Sequence, residues 1–516
     1  MTLANDTGFF RGLYAIQFIL TSINSCFLRN LGLVFTLIFS SPTFSADLMD
    51  VYHQSLENDP TFKSAYSNFL SQSEALPQAW SYLLPQLTIA ALAGRNGQIV
   101  DTGSFTLNQR YNGDQWKVNA SQALFNYQAW EKVQQARASI KSSLATFNNA
   151  AQDLILRTAA SYLNILLAKD TLNFAEAKKR ANKRQYDQAQ QRFNVGLDPI
   201  TSVYEAQAAY DQSVSEVISA QNRFINQNQN LSKLTNHLYE HVAPLRDNTI
   251  PLIHPEPNNV DDWVAAGLKQ NYNLFAAKYS LQAARENIKS ASSGNWPVFS
   301  LQATTTDTHY DTGVPPATAS SSAKTTGNDL VNNLFIPNEQ RISNVAITMN
   351  FPIFQGGLVA SQTRQAEYNY QTSGQQLEKV YRDVIVNSNI AFNTIVDGIS
   401  KVKADRRTII SQQNSLDSVS AQYEVGTRTM TDVVLAQQHL FQAQEQLASD
   451  QYNLINAILN LKYLAGTLNV NDLEEINAWL DTKRVSELAP GKNNGVCSLT
   501  LKSKQLLKNV QPIATP

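Results

Sequence analysis

His237, Glu240 and His241 stand in the H-x-x-E-H order of an inverted zinc-protease motif, in which two histidines a helical turn apart hold the metal. The triplet falls at the end of a helical pattern against Pro244, and no third ligand is in view, so neither a metal nor any cofactor is expected. With no Gly-rich phosphate loop and no G-x-S-x-G elbow, enzymatic chemistry is not expected either. The remaining polar constellation is split in two: Asp198, Thr201 and Ser202, then Tyr423, Arg428 and Asp432. A guanidinium, two carboxylates, a phenol and hydroxyls form charge-assisted hydrogen bonds rather than a bond-breaking site. Taken alone, Arg428 and Asp432 also fit a solvated pair at a helix start, where aspartate is favourable.

Both sets sit in one duplicated stretch. Arg192 to Gln207, RFNVGLDPITSVYEAQ, returns without a gap as Gln422 to Gln437, QYEVGTRTMTDVVLAQ, and the match continues through Gln212/Gln442, Ile225/Ile455 and Leu231/Leu461. An internal duplication is the simplest explanation. Each copy is a helical run, a glycine suited to the left-handed C′ position (Gly196, Gly426), and a new helix start: Asp198 with Pro199 at N1, or Thr427/Thr429. The pattern predicts a helical hairpin tip used twice, exposing Val195, Gly196 and Leu197 in one copy and Val425, Gly426 and Thr427 in the other.

Long helices must carry these tips. Asn126 to Val195 has one glycine-free and proline-free pattern, about 105 Å at about 1.5 Å per residue, and needs neighbouring helices for burial. Ile140, Leu144, Phe147, Ala151, Leu154, Thr158, Ile165, Ala168 and Leu172 form its apolar seam, which gives way toward the tip to Lys183, Arg184, Gln185, Gln188, Gln190 and Gln191. Gly357 to Val425 is the second long stretch, weakened at Gly374 and Gly398. Shorter helices are expected over 46–82, 199–240, 260–290 and from the second tip to about Ala465, with the Pro-rich PLRDNTIPLIHPEP between the halves. The expected division is 1–45 leader, 46–250 first repeat, 251–467 second repeat and 468–516 a partly disordered extension.

A net charge of −1 with only 16% charged residues disfavours nucleic acid as a partner. Cys26 and Cys497 lie in the leader and the tail, so the body has no internal disulfide. Arg29, the apolar run Leu31 to Phe39 and SSPTFSA give the order of a secretory signal with cleavage near Ser45 or Ala46. Residues 1–28 are long for such a signal, which points to a start downstream of Met1.

Four strands are expected. Trp116, Val118, Ala120 and Leu124 alternate with polar residues, as do Val345, Ile347, Met349 and Phe351; Leu87 to Asn96 and Phe299 to Tyr310 are the weaker partners. Gln98 to Gly113 and Asp311 to Gln340 read as connecting loops. Strands apolar on one face, with Trp116, Val118, Val345 and Ile347 toward lipid, cross a bilayer only in a closed barrel, and four are too few to close one. Two chains would supply eight strands and three would supply twelve. A small soluble sheet at the base of a helical bundle has the same pattern.

The duplicated order of helix, two strands, long helix, tip and helix, with FPIFQGGLVASQTRQAEYNY after the fourth strand and YEVGTRTMTDVV at the second tip, resembles the TolC family of outer-membrane channel proteins from about Asp47 to about Leu480. The resemblance implies an α+β fold: a homotrimer whose twelve strands form one transmembrane antiparallel β-barrel, continued by a long α-helical barrel into the periplasm. It also implies docking of the tips to a periplasmic adaptor and an inner-membrane transporter, for efflux or type I secretion. Tyr423 and Arg428 would then hold a closed aperture through contacts to Thr201 and Ser202, and Asp432 would form a ring facing the pore. Ser202 stands where the family has an acid, with Asp198 a substitute partner for Arg428, and Leu435 stands where a second acidic ring is expected. The rival reading is a soluble periplasmic coiled-coil adaptor without membrane strands.

Overall fold

The computed structural model describes residues 46–101, 106–239, 241–246, 250–311 and 339–481. The leader, Glu240, most of the 311–340 loop and the residues after 481 lie outside the described residues. In the first half, α1 (Leu48–Asn58), α2 (Pro60–Ser73) and α3 (Ala75–Ser81) precede β1 (Gln86–Asp101), β2 (Thr106–Phe125), α4 (Tyr127–Asn194) and α5 (Ile200–Thr235). The second half runs α6 (Val260–Gln270), α7 (Tyr272–Ser292), β3 (Val298–Asp311), β4 (Glu339–Asn350), α8 (Leu358–Glu424) and α9 (Met430–Leu464), and α10 (Val470–Asn477) follows. No described helix is long and apolar enough to cross a membrane.

The expected single helices over 46–82 and 260–290 are broken, and the breaks correspond. Asp59, 1% exposed, ends α1 and caps α2 by accepting from the Thr61 and Phe62 amides, with Pro60 at the first helical position where its missing N–H costs nothing. Asn271 does the same between α6 and α7 through the Leu274 amide. The expected loop over Gln98 to Gly113 is also corrected: β1 and β2 pair from Gln86↔Ser121 out to Asp101↔Thr106, so only 102–105 remain between them. Strand pairing satisfies the backbone groups that a loop would leave to water.

α4 and α8, of 68 and 67 residues, are the two spines. α5 lies along the tip half of α4; α7 lies between the sheet-side halves of α4 and α8, and α9 takes the equivalent place nearer the tips. One core holds the middle of the molecule. Leu48 and Val51 of α1, Leu154 and Tyr162 of α4, Leu231 of α5, Ile395 and Ile399 of α8, Leu454 and Ile455 of α9, and Leu473 and Ile476 of α10 meet there. The Tyr162 hydroxyl, fully inside, donates to the Ala243 carbonyl at 3.0 Å, so the buried phenol is satisfied. Residues 468–481 belong to this core: Leu480 bridges to Leu245, the Asp481 amide donates to the Pro244 carbonyl at 2.8 Å, and Lys462 pairs with Asp472 at 2.6 Å.

The four strands form one antiparallel sheet in the order β1-β2-β3-β4. Register places Ile89 opposite Val118, Ala120 opposite Ala303, Ala303 opposite Val345 and Leu301 opposite Ile347. Period two then puts Trp116, Val118, Val345 and Ile347 on one face with Leu87 and Ile89, while Lys117, Asn119, Thr304 and Asn344 share the other. Among the described residues nothing covers the apolar face: Ile89 is 73% exposed, Val345 72% and Ile347 67%, with Trp116 exposed and Val118 half-buried. Farther from the helices that face turns polar, with the Thr305 and Ser343 hydroxyls bonded together and Arg341 donating to Asp307 at 2.6 Å.

Candidate functional site at the helical tips

Each tip is a Schellman turn, and the two are copies. In the first, the Gly196 amide donates to the Phe193 carbonyl at 2.9 Å and the Leu197 amide to the Arg192 carbonyl at 2.9 Å; in the second, Gly426 donates to Tyr423 at 3.0 Å and Thr427 to Gln422 at 2.9 Å. The turn requires a left-handed residue, and Gly196 and Gly426 supply it at φ of 78° and 81°. Val195, Leu197 and Val425 project into solvent at 70%, 67% and 74% exposure.

Beyond the turns the starts diverge. Asp198 does not cap α5, as the sequence pattern suggested; Pro199 is the N-cap and offers no side-chain acceptor. Thr429 caps α9, its hydroxyl accepting from the Asp432 amide at 3.3 Å while the Asp432 carboxylate accepts from the Thr429 amide at 3.0 Å and hydroxyl at 2.9 Å. Those bonds hold Asp432 below the usual carboxylate range.

Asp198 is thereby free for another role. Arg192 donates to it through Nε at 3.0 Å and Nη2 at 3.3 Å, and the Tyr423 hydroxyl of the second tip donates to the same carboxylate. The Arg192 guanidinium also lies 5.0 Å from the centre of the Tyr423 ring, a cation–π distance. Burial alone would push Asp198 up, but the bonds from Arg192 and Tyr423 outweigh it and hold the carboxyl below its usual range. Burial first, then the Asp198 carboxylate, push the Tyr423 hydroxyl well above the usual phenol range. A small core surrounds the triad: Ala189, Val203 and Ala206 of the first tip pack with Tyr423, Met430 and Val433 of the second.

Arg428 takes a different partner from the one expected. Its Nε donates to Gln422 Oε1 at 3.1 Å, and its Nη1 stands 3.9 Å from Asp432 Oδ1. Among the described residues it makes no bond to Asp198, Thr201 or Ser202, because Arg192 and Tyr423 already occupy Asp198. Ser202 is buried at 8% exposure and Thr201 is exposed. Sequence reasoning missed Arg192 and Gln422, which align with each other in the duplication, and Glu205, whose carboxylate accepts from the Thr431 hydroxyl at 2.6 Å across the two tips. The opposite charges of Arg192 and Asp198 flanking a helix-ending glycine were the available signal. His237 lies beyond the end of α5, where Asn236 turns left-handed, so His237 and His241 lack helical spacing.

The family model described as outer membrane efflux protein matches residues 51–237 and 263–467, once in each half of the chain. The chain belongs to the outer membrane efflux protein family. Outer membrane protein TolC of Escherichia coli (strain K12) is 33% identical over 443 residues, which cover 85% of this chain and 86% of that protein. Alkaline protease secretion protein AprF of Pseudomonas aeruginosa is 25% identical over 86% of this chain and 89% of its own length. The crystal structure of outer membrane protein VceC from Vibrio cholerae superposes with a TM-score of 0.67 over 81% of this chain and 96% of that one, at 15% identity. As a member of this family the chain is an outer-membrane channel protein, and the soluble adaptor reading is set aside.

Proposed function

We propose that three copies of this chain form an exit duct for small molecules or secreted proteins, closed at its periplasmic end by the helical tips. The apolar sheet face supports the assembly: four strands with two free edges, β1 and β4, leave both an uncovered lipid-sized band and unpaired backbone groups that further copies satisfy. The observation that carries the gate is the bond from Tyr423 to Asp198, which ties the second tip to the first. Opening requires the tips to part, so that bond and the small core around it must break. In a threefold tube the three copies of Arg428 and Asp432 converge on the narrow end, where the acid favours cations and the guanidinium needs acceptors from a neighbouring copy. Val195, Gly196, Leu197, Val425, Gly426 and Thr427 present a small apolar surface suited to a periplasmic adaptor, which recruits the inner-membrane transporter that supplies energy. Planar-bilayer conductance of the purified protein tests the reading: small, cation-preferring steps are expected, and an absence of conductance from membrane-inserted trimer overturns it.

A further inference from the structure

Met430 and Val433 turn one side of α9 into the small core between the tips, and Thr431, Asp432 and Leu435, three and four residues apart, occupy the opposite side. Thr431 and Leu435 are exposed, Leu435 at 47%, and Arg428 leans onto this stripe, 3.9 Å from Asp432. One further charge reaches it from α5. The Glu205 carboxylate accepts from the Thr431 hydroxyl at 2.6 Å, and Glu205 makes no ion pair among the described residues. In the duplication Glu205 aligns with Leu435, so the first copy carries an acid where the second carries an apolar side chain. Arg192 and Asp198 neutralise each other in the first tip, Arg428 and Asp432 are of opposite sign in the second, and Glu205 is left over. Glu424, the other acid of the second tip, belongs to the end of α8 rather than to this stripe. With Glu205 each copy contributes one net negative charge to the stripe; without it, none.

We propose that Glu205 sets the cation preference of the closed end of the duct. The inference rests on the reading that the tips converge around the duct, which brings three copies of the stripe together. Whichever copy Arg428 leans toward, the net charge is unchanged, because every copy contributes the same residues. Three uncompensated carboxylates at a constriction between low-dielectric walls concentrate cations and repel anions. Thr431 is the positioning residue: its hydroxyl engages one oxygen of the Glu205 carboxylate and holds it beside Asp432. A side chain at position 435 leans toward the N-terminus of α9 and so over Thr431, which makes it the second place from which a carboxylate can reach the same spot.

Reversal potentials of the purified full-length trimer in a potassium chloride gradient test the assignment. Glu205→Gln keeps an oxygen acceptor for Thr431 and removes only the charge. The ratio of potassium to chloride permeability is expected to fall about two- to fivefold at about 0.1 M salt and to differ little from the parent at about 1 M, where the Debye length shrinks from about 10 Å to about 3 Å. Adding Leu435→Glu to Glu205→Gln should restore the parental ratio, a rescue that a merely structural contact would not show. No potassium preference in the parent, a ratio unchanged by Glu205→Gln, or a loss that Leu435→Glu leaves in place overturns the proposal. If Glu205→Gln yields no trimer, Leu435→Lys in the parent decides: it should abolish the cation preference, and a parental ratio overturns the proposal. An absence of conductance from membrane-inserted parent trimer instead overturns the duct itself.

Discussion

Arg192 and Asp198 are joined across the first tip by the same six-residue link that joins Gln422 to Arg428 across the second, with donor and acceptor exchanged. In the first tip the arginine lies on the long helix and holds the acid; in the second the arginine lies beyond the turn and holds an amide. The duplication kept the geometry and divided the charges, leaving the first tip with a fixed carboxylate that Tyr423 reaches and the second with a guanidinium at 52% exposure.

Breaking the link between the tips should open the duct. Tyr423→Phe removes a hydrogen bond to a charged acceptor, about 1.5 to 3 kcal/mol, and leaves the ring in its core. Higher single-channel conductance or open probability is expected for this variant and for Asp198→Asn. Arg192→Gln combined with Asp198→Asn should be less than additive, because both act through one carboxylate. Unchanged conductance in both single variants removes this bond from the gate.

The pH dependence follows from the same carboxyl. Its folded value lies below the unfolded one, so its contribution is present above about pH 4 and is lost as the pH falls through the lower, folded value. Conductance should therefore be insensitive to this group between about pH 5 and pH 8 and rise only in stronger acid. A transition near neutral pH that disappears in Asp198→Asn contradicts the assignment.

Much of this was legible in the sequence. The long helix expected over Asn126 to Val195 has Asn126 and Val195 as its two caps, and the alternation at Val118 and Val345 fell on real strands, because period and capping are local signals. The breaks at Asp59 and Asn271 were missed because a polar residue within a helical pattern reads as an exposed face until its side chain is seen to cap the next turn. The partner of Asp198 was misread because Arg428 stands in the second copy where Asp198 stands in the first, which suggested a contact between the copies, whereas the acid bonds Arg192, six residues back in its own tip.

Arg428→Ser should raise conductance independently of Asp198→Asn, since the two residues share no bond. Ser202→Asp, which restores an acid beside the aperture, should lower it if a neighbouring copy brings Arg428 within reach. Asp432→Asn keeps an oxygen acceptor for the Thr429 cap, so it should reduce cation preference without loss of trimer. Reversal potentials in a salt gradient check the last point; an unchanged ratio means Asp432 serves only its helix.

Glycines separate folding from docking. Gly426 has a left-handed backbone but open space around it, so Gly426→Ala should cost about 1 to 2 kcal/mol and leave the tip folded, whereas Gly426→Trp should abolish adaptor cross-linking. A Cβ at Gly466 would sit 2.4 Å from the Gln270 carbonyl oxygen, and that residue too is left-handed at φ 74°. Gly466→Ala should therefore greatly reduce folded protein. Normal cross-linking and efflux by Gly426→Trp at parental abundance rule out the tips as the docking surface.

The sheet gives the last prediction. Val345 and Ile347 stand on the edge strand β4, on the same face as Trp116 and Val118, with no described residue above them. Arginine at either position near mid-bilayer should cost about 2 to 4 kcal/mol, enough to deplete assembled trimer in the outer membrane. Asn344→Arg, one residue away on the opposite face, is the control: if that face lines the water-filled lumen, the variant should assemble normally and change only conductance. Equal trimer yields for Val345→Arg, Ile347→Arg and the parent would mean that this face meets protein or water rather than lipid. Loss of trimer in Asn344→Arg alone would invert the sheet.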